Sequence, residues 1–459
     1  MKRFAISLVA LPALALALAS ACSDDDDDGG GVTSGGAGAP QGGQGGQGGP
    51  GPSGAGGGGG SAGVSGAGGG GGVSPDSEVV RPEKRPFTAE LMGQLTLPPG
   101  FAIGAFAQNL GGPRMMAVAA DGGVYVTRPT PGDVLLVRDA DGDGKAEAPV
   151  TAFAGGGDEF KNLHGIALSE DGKSAYLATP TGLYVSGVGG DGALGAPKAL
   201  ATDLPDGGQH GKRTLHVVPG TGQILLSVGS SCDLCAETNP EHATLLLIDP
   251  AKGTQTKEDR SIFATGLRNT IGFDWYPGAP NELWGMDHGS DHHGNALPPE
   301  ELNRLGSGKN YGWPYVYSSG PGERAIDPII DDPPGMTKEA YAPLTEPAVL
   351  TYEAHSAPIE FRFYTGTQFP PEYRNDAFVA MRGSWNRNPP TGYKVVRVLF
   401  DDQTRQPTGF EDFVSGWLIE GGRAQFGRVA GLAQLPDGSL LISDDENGVI
   451  YRVTYAGAP

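Results

Sequence analysis

The stretch G-I-A-L-S-E-D-G-K-S-A-Y-L-A-T (165–179) reads as two short β-strands joined by a Glu-Asp-Gly turn. Alternating apolar residues on either side of a Gly-containing turn are the composition of a β-hairpin. The same pattern occurs at M-M-A-V-A-A-D-G-G-V-Y-V-T (115–127) and L-H-V-V-P-G-T-G-Q-I-L-L-S-V (215–228). It returns at I-G-F-D-W-Y-P-G-A-P-N-E-L-W-G-M-D (271–287) and V-A-G-L-A-Q-L-P-D-G-S-L-L-I-S-D (429–444), with a looser copy at 359–381. No strong helical period lies between the copies. Six hairpins at a spacing of roughly fifty residues, wider around the fifth, predict an all-β chain folded as a six-bladed β-propeller. A β-sandwich with incidental Asp-Gly turns would not repeat so evenly.

The ends of the chain read differently. Met1-Lys2-Arg3 precedes an apolar run over 4–19 and then A-S-A-C, the pattern of a signal peptide over 1–21. Cys22 directly after small residues looks like a bacterial lipobox and is expected to carry lipid, tethering an otherwise soluble protein. Residues 22–85 open with an acidic run and continue in Gly, Ala, Ser and Gln, so they are expected to be a disordered tether. The folded domain is expected over 86–459, and no later segment has the length and apolarity of a membrane span. The expected place is the bacterial cell envelope, with lipid as the only membrane attachment.

The 459 residues carry a formal net charge of -21, which argues against a nucleic-acid partner. Besides Cys22, the cysteines form C-D-L-C (Cys232, Cys235). In an oxidising exported compartment a disulfide is the default for such a pair. A c-type haem would need His where Ala236 stands, and two cysteines alone do not make a zinc site.

The repeat also locates a site. In a propeller the innermost strand of each blade starts near the central channel, so the residues just before those strands converge. These are Arg114, His164, His210 with Lys212 and Arg213, Arg268 with Asn269, Ser356, and Arg428. A ring this basic in an acidic protein points to a bound anion or polycarboxylate. Charged residues in Gly-rich loops on a rigid scaffold are typically site residues. Two such segments stand out: G-L-R-N-T-I-G-F (266–273), and M-D-H-G-S-D (286–291) followed by P-P-E-E-L-N-R-L-G-S-G-K-N-Y-G-W-P (298–314).

These segments resemble the pyrroloquinoline quinone (PQQ) dependent sugar dehydrogenases, the L-sorbosone and pyranose dehydrogenase group more closely than the soluble glucose dehydrogenases. Q-H-G-K-R-T-L-H-V-V (209–218), S-V-G-S-S-C-D-L-C (227–235), F-V-A-M-R-G-S-W-N-R-N-P-P-T-G-Y-K-V-V-R-V (378–398) and G-R-V-A-G-L (427–432) extend the resemblance over 86–459. It implies a six-bladed propeller that oxidises a sugar by hydride transfer to the quinone. His210 takes the base position, five residues before Leu215, while His216 falls within the strand and reads as packing. Arg268 would stabilise charge developing on the quinone, and Asn269 would hold an O5 or carboxylate oxygen.

The resemblance further implies Ca²⁺ bound by backbone carbonyls of Gly289 and Ser290, where the family often has Pro at the second position. The cluster His288, His292, His293 could instead serve a transition metal. The PQQ carboxylates need cations. Arg428 matches the last-blade arginine; Arg382 or Arg387 is expected from the fifth blade; Arg114 and His164 complete the ring. Gln209 stands where the glucose enzymes have an acid, which leaves open what orients His210.

Two other readings remain. A Ca²⁺-dependent propeller hydrolase such as a lactonase would want a ring of Asp, Asn and Glu. A non-enzymatic ligand-binding propeller would have been expected to lose His210 or the Arg-Asn pair. No haem motif is present, so electrons must pass to a separate acceptor. Loops 232–242 and 321–347 are expected to shape the pocket for a small sugar. D-A-D-G-D-G-K (139–145) resembles a Ca²⁺ loop but has Val150 where an EF-hand needs Glu, so a weak ion site and a plain blade turn are both open.

Overall fold

The computed structural model describes residues 79–205 and 208–457; the signal peptide, Cys22 and the tether up to residue 78 lie outside the described residues. Among the described residues six sheets of at least four strands follow one another in the chain. Their innermost strands are Met116–Val118, Gly165–Leu168, Leu215–Val217, Phe273–Trp275, Pro358–Phe363 and Val429–Gln434. Each begins one of the six repeats, and each pairs antiparallel with the strand that follows its turn. The chain ends share the last sheet: Phe101–Ala107 lies antiparallel to Val449–Tyr455, with Phe101 opposite Tyr455.

The pleat explains the packing. Successive side chains of a strand point to opposite faces, and here both faces meet a neighbouring blade. In Ile224–Val228, Ile224, Leu226 and Val228 join a buried cluster with Leu183 and Leu200 of the second blade. Leu225 points the other way, into a cluster with Phe273 and Leu283 of the fourth. This accounts for runs that are apolar throughout rather than alternating. Truncating a residue such as Leu225 to Ala would cost about 2–5 kcal/mol.

Blade meets blade at the axis as well. Gly431 on the last inner strand lies against the carbonyl of Arg114 on the first, and a Cβ there would collide with it. Met115, Ile166, Ile271, Ile359 and Ala430, each at the start of an inner strand, belong to one buried apolar cluster. These residues come from five blades, so they plug the channel between its two mouths.

The folded unit starts before residue 86. Val80 bridges to Arg387, and Glu83–Lys84 adds in parallel to Ala424–Gln425. This polar stretch is held by backbone pairing, which its composition does not display. The Asp139 carboxylate accepts from the backbone N–H groups of Gly142 and Gly144 and meets Arg452 Nη1 at 3.1 Å. Asp139, Asp141 and Asp143 also bring their carboxylates within 4.8 Å of one another, so the turn geometry and the ion-site spacing coexist there.

Candidate active site

The ring expected from the repeat is assembled by direct bonds. Arg114 Nε donates to His164 Nε2 at 3.1 Å, and His164 Nδ1 lies 3.1 Å from the Arg213 carbonyl. Arg114 also pairs with Asp445, which pairs through its other oxygen with Arg382. Arg428 donates to the Gly383 carbonyl at 3.0 Å, and its guanidinium carbon lies 5.9 Å from the Tyr393 ring centre. Arg382 is thus the fifth-blade arginine joined to the ring. Arg387 instead pairs with Glu353 at 2.7 Å and with the Ala354 carbonyl.

Some expected members face elsewhere. Arg213 is fully buried and donates to the carbonyls of Pro180, Pro205 and His210. It fixes the backbone that carries His210 rather than lining the funnel. Ser356 Oγ donates to the Glu353 carbonyl. The three-histidine metal reading fails on geometry: His288 Nε2 sits 2.6 Å from the Pro358 carbonyl, whereas His293 Nε2 sits 2.8 Å from Asp327.

His210 is held by Ser230. Its Nδ1 is 2.8 Å from Ser230 Oγ and 3.1 Å from the Ser230 carbonyl. The Ser230 hydroxyl spends its one proton on the Cys232 carbonyl at 2.6 Å, so its oxygen can only accept. Nδ1 must therefore carry hydrogen, and Nε2 carries the lone pair. Burial, reinforced by Arg268 and His288, pushes the His210 pKa well below the ordinary histidine value. The imidazole is neutral at neutral pH.

The Ser230 loop continues into the Cys232–Cys235 disulfide. Asp233, between the two half-cystines, accepts from Arg268 Nη2 at 2.7 Å, and its carbonyl accepts from Arg268 Nε at 3.0 Å. Asp291 meets the same Nη2 at 3.2 Å. The backbone N–H groups of Arg268 and Asn269 donate to the two oxygens of Asp287, both at 2.8 Å. Gly229 allows this convergence. A Cβ there would stand 2.5 Å from His210 Cβ and 2.7 Å from Asn269 Oδ1.

The turn 288–290 is pinned from behind. Glu300 accepts from Gly289 N at 3.0 Å and from Ala357 N at 2.9 Å. Burial pushes Glu300 up to about 8 and holds His288 down at about 4. The Asn-Tyr-Gly-Trp-Pro loop roofs this region: Lys309–Asn310 pairs in parallel with Ser261–Thr265 of the third blade, and Asn310 donates to Tyr341 at 2.6 Å.

The arginine set fits a polyanionic quinone. Arg114, Arg382 and Arg428 supply positive charge around one funnel. Arg428 Nε and Asn269 Oδ1 are buried with no hydrogen-bond partner. Such atoms are the mark of a site that awaits a ligand. Asp233, Asp291, Asp445 and Ser230 were missed in the sequence. The doubled acid Asp444-Asp445 at a strand exit and an acid between two cysteines were the available signals.

Comparison with known proteins bears on the fold and the family. An uncharacterized protein of Borreliella burgdorferi is 33% identical over 247 residues, covering 54% of this chain and 61% of that protein. The match thus spans less than two thirds of the relative's length. The calcium structure of the Trichoderma reesei family AA12 carbohydrate-active enzyme superposes with a TM-score of 0.68 at 20% identity, covering 79% of this chain and 97% of that one. The holo PQQ domain of Coprinopsis cinerea pyranose dehydrogenase does so at 0.67 and 20%, covering 82% and 98%. These likenesses show the fold. Residues 95–456 match the TrAA12-like family, and the chain belongs to this family of PQQ-dependent sugar oxidoreductases.

Proposed function

We propose that this chain oxidises a hydroxyl or hydrated aldehyde of a sugar, an aldose, pyranose or osone, with PQQ and Ca²⁺ as cofactors and His210 as general base. One observation carries the reading: the Ser230 hydroxyl, committed to the Cys232 carbonyl, leaves Nε2 of His210 as the basic nitrogen. A neutral imidazole next to a fixed guanidinium is what removal of a hydroxyl proton requires. When bound, the quinone supplies the two-electron acceptor and Ca²⁺ the Lewis acid.

The chain's residues divide the remaining work. His210 takes the hydroxyl proton on Nε2. Arg268, fixed by Asp233 and Asp291, presents positive charge where negative charge develops. Asn269 would donate from its amide nitrogen to a quinone or carboxylate oxygen. Arg114, Arg382 and Arg428, with His164, would hold the quinone's carboxylates. Gly289 and Ser290 would offer backbone carbonyls to the cation. The electrons leave to a separate acceptor.

The test is dye reduction by residues 77–459 with a panel of aldoses and osones, with and without added PQQ and Ca²⁺. Turnover that needs both additions and falls about 10²–10⁴-fold in His210→Ala supports the reading. Failure to shift the PQQ absorbance would overturn it in favour of a ligand-binding propeller. We also propose that Cys22 anchors the chain in the cell envelope. Palmitate labelling that persists in Cys22→Ser would reject this.

A further inference from the structure

The inner strands run from the funnel to the opposite mouth of the channel, and there they enclose a cavity of about 550 Å³. All six blades contribute to its wall, and its size is typical of small-molecule sites. The plug of Met115, Ile166, Ile271, Ile359 and Ala430 separates it from the funnel. One wall is apolar, formed by residues such as Val118 and Leu168. The other carries His216, Asp274, Trp275 and Arg362, with Glu360 behind them.

This polar group is conspicuously unsatisfied. Arg362 approaches Glu360 at 3.6 Å and Asp274 at 4.0 Å, both beyond hydrogen-bond range. Its Nε is buried with no hydrogen-bond partner, as are Glu360 Oε1 and His216 Nε2. Glu360 is 1% exposed and His216 8%. These three atoms lie beneath the lining, so the terminal nitrogens of Arg362, which have no hydrogen-bond partner within range, are the donors the cavity presents.

The chemistry of the wall selects that occupant. An anion would meet the carboxylates of Asp274 and Glu170, and a cation would meet Arg362. A neutral molecule avoids both conflicts. Donors on Arg362 lie beside the Asp274 carboxylate on the lining, with Glu360 behind holding the guanidinium, an arrangement that suits hydroxyl groups, which donate and accept together. Trp275 and the apolar wall suit the C–H face of a ring.

We propose that the far mouth is a second ligand site, for a neutral polyhydroxylated ring of monosaccharide size, distinct from the redox funnel. It does not depend on the dehydrogenase reading. The test is calorimetric titration of residues 77–459, without PQQ, using D-glucose and myo-inositol as probes. At least one probe should bind. Affinity should fall about tenfold in Arg362→Met and in the near-isosteric Glu360→Gln, a loss of about 1.4 kcal/mol. His210→Ala should leave it unchanged. Should Arg362→Met fail to fold, as judged by circular dichroism, Glu360→Gln decides alone. Binding of neither probe, undiminished binding in Glu360→Gln, or binding abolished by His210→Ala would each overturn the proposal.

Discussion

Arg268 is gripped twice by Asp233: its Nη2 lies 2.7 Å from the carboxylate and its Nε 3.0 Å from the carbonyl oxygen. Asp233 sits inside the Cys232–Cys235 disulfide, on the loop whose Ser230 holds His210. The disulfide loop thus couples the base and the cation of the site in one rigid piece.

Asp233→Asn keeps the shape of this grip and removes its charge. Turnover should fall about 10–100-fold, the scale of one charge-assisted hydrogen bond, while KM changes only a few-fold. Steady-state kinetics on the holoenzyme check this. An unchanged turnover number would show that Asp291 alone suffices to hold Arg268.

The pH profile should carry the imprint of His210. Burial first, and then the Arg268 charge, depress its pKa, so the base form persists below pH 6.5. The acid limb of kcat/KM should therefore lie below pH 6.5. Removing the cation in Arg268→Met favours the protonated imidazole, so the limb of the residual activity should move upward. A limb that stays in place would separate it from His210.

Gly229→Ala should be severe. The new methyl would stand 2.5 Å from His210 Cβ, a distance that real side chains do not tolerate. Overpacking of this kind costs about 1–3 kcal/mol, and here it displaces the base. Loss of activity with a modest fall in Tm is expected. The same activity as the parent protein would contradict the close packing of the site.

Arg382 and Arg387 should behave differently. Arg382 shares Asp445 with Arg114, whereas Arg387 is tied to Glu353. Arg382→Met should weaken PQQ affinity about tenfold or more, and Arg387→Met only a few-fold. Absorbance titration with PQQ measures both.

At the far mouth, burial pushes Glu360 up to about 7 from its ordinary 4.5. A carboxyl with a raised folded pKa contributes stability that is present below pH 4.5 and lost as pH rises through 7. The Tm of the parent protein should therefore fall between pH 5 and pH 8, with the Glu360 share corresponding to at most about 3 kcal/mol beside that of buried carboxyls such as Glu300. Glu360→Gln should lessen the fall by that share. An equal fall in the variant would assign the dependence to other groups.

Much of this was legible in the sequence. Each hairpin quoted at the outset is the inner pair of a blade, and the residues before those hairpins meet as a ring. Hairpins are local, and their turn residues and apolar runs carry the information within about fifteen residues. For the same reason the motifs placed His210, Arg268 and Asn269 beside one another. The reading went astray at Arg213 and Ser356, where position before a strand was right but the side chain turned to backbone carbonyls. It also began the fold too late, because residues 79–85 join by backbone pairing that leaves no trace in hydropathy.

The repeat and the positions just before the inner strands were determined by the sequence alone, since each rests on contacts between near neighbours in the chain. What only the tertiary structure decided is which charges pair. Asp445 meets Arg114 across 331 residues and Arg382 across 63, and Glu360, Arg362 and His216 come together from two blades. Closing the ring brings those side chains into one low-dielectric axis. Partner choice there depends on distance and burial, which no local pattern encodes.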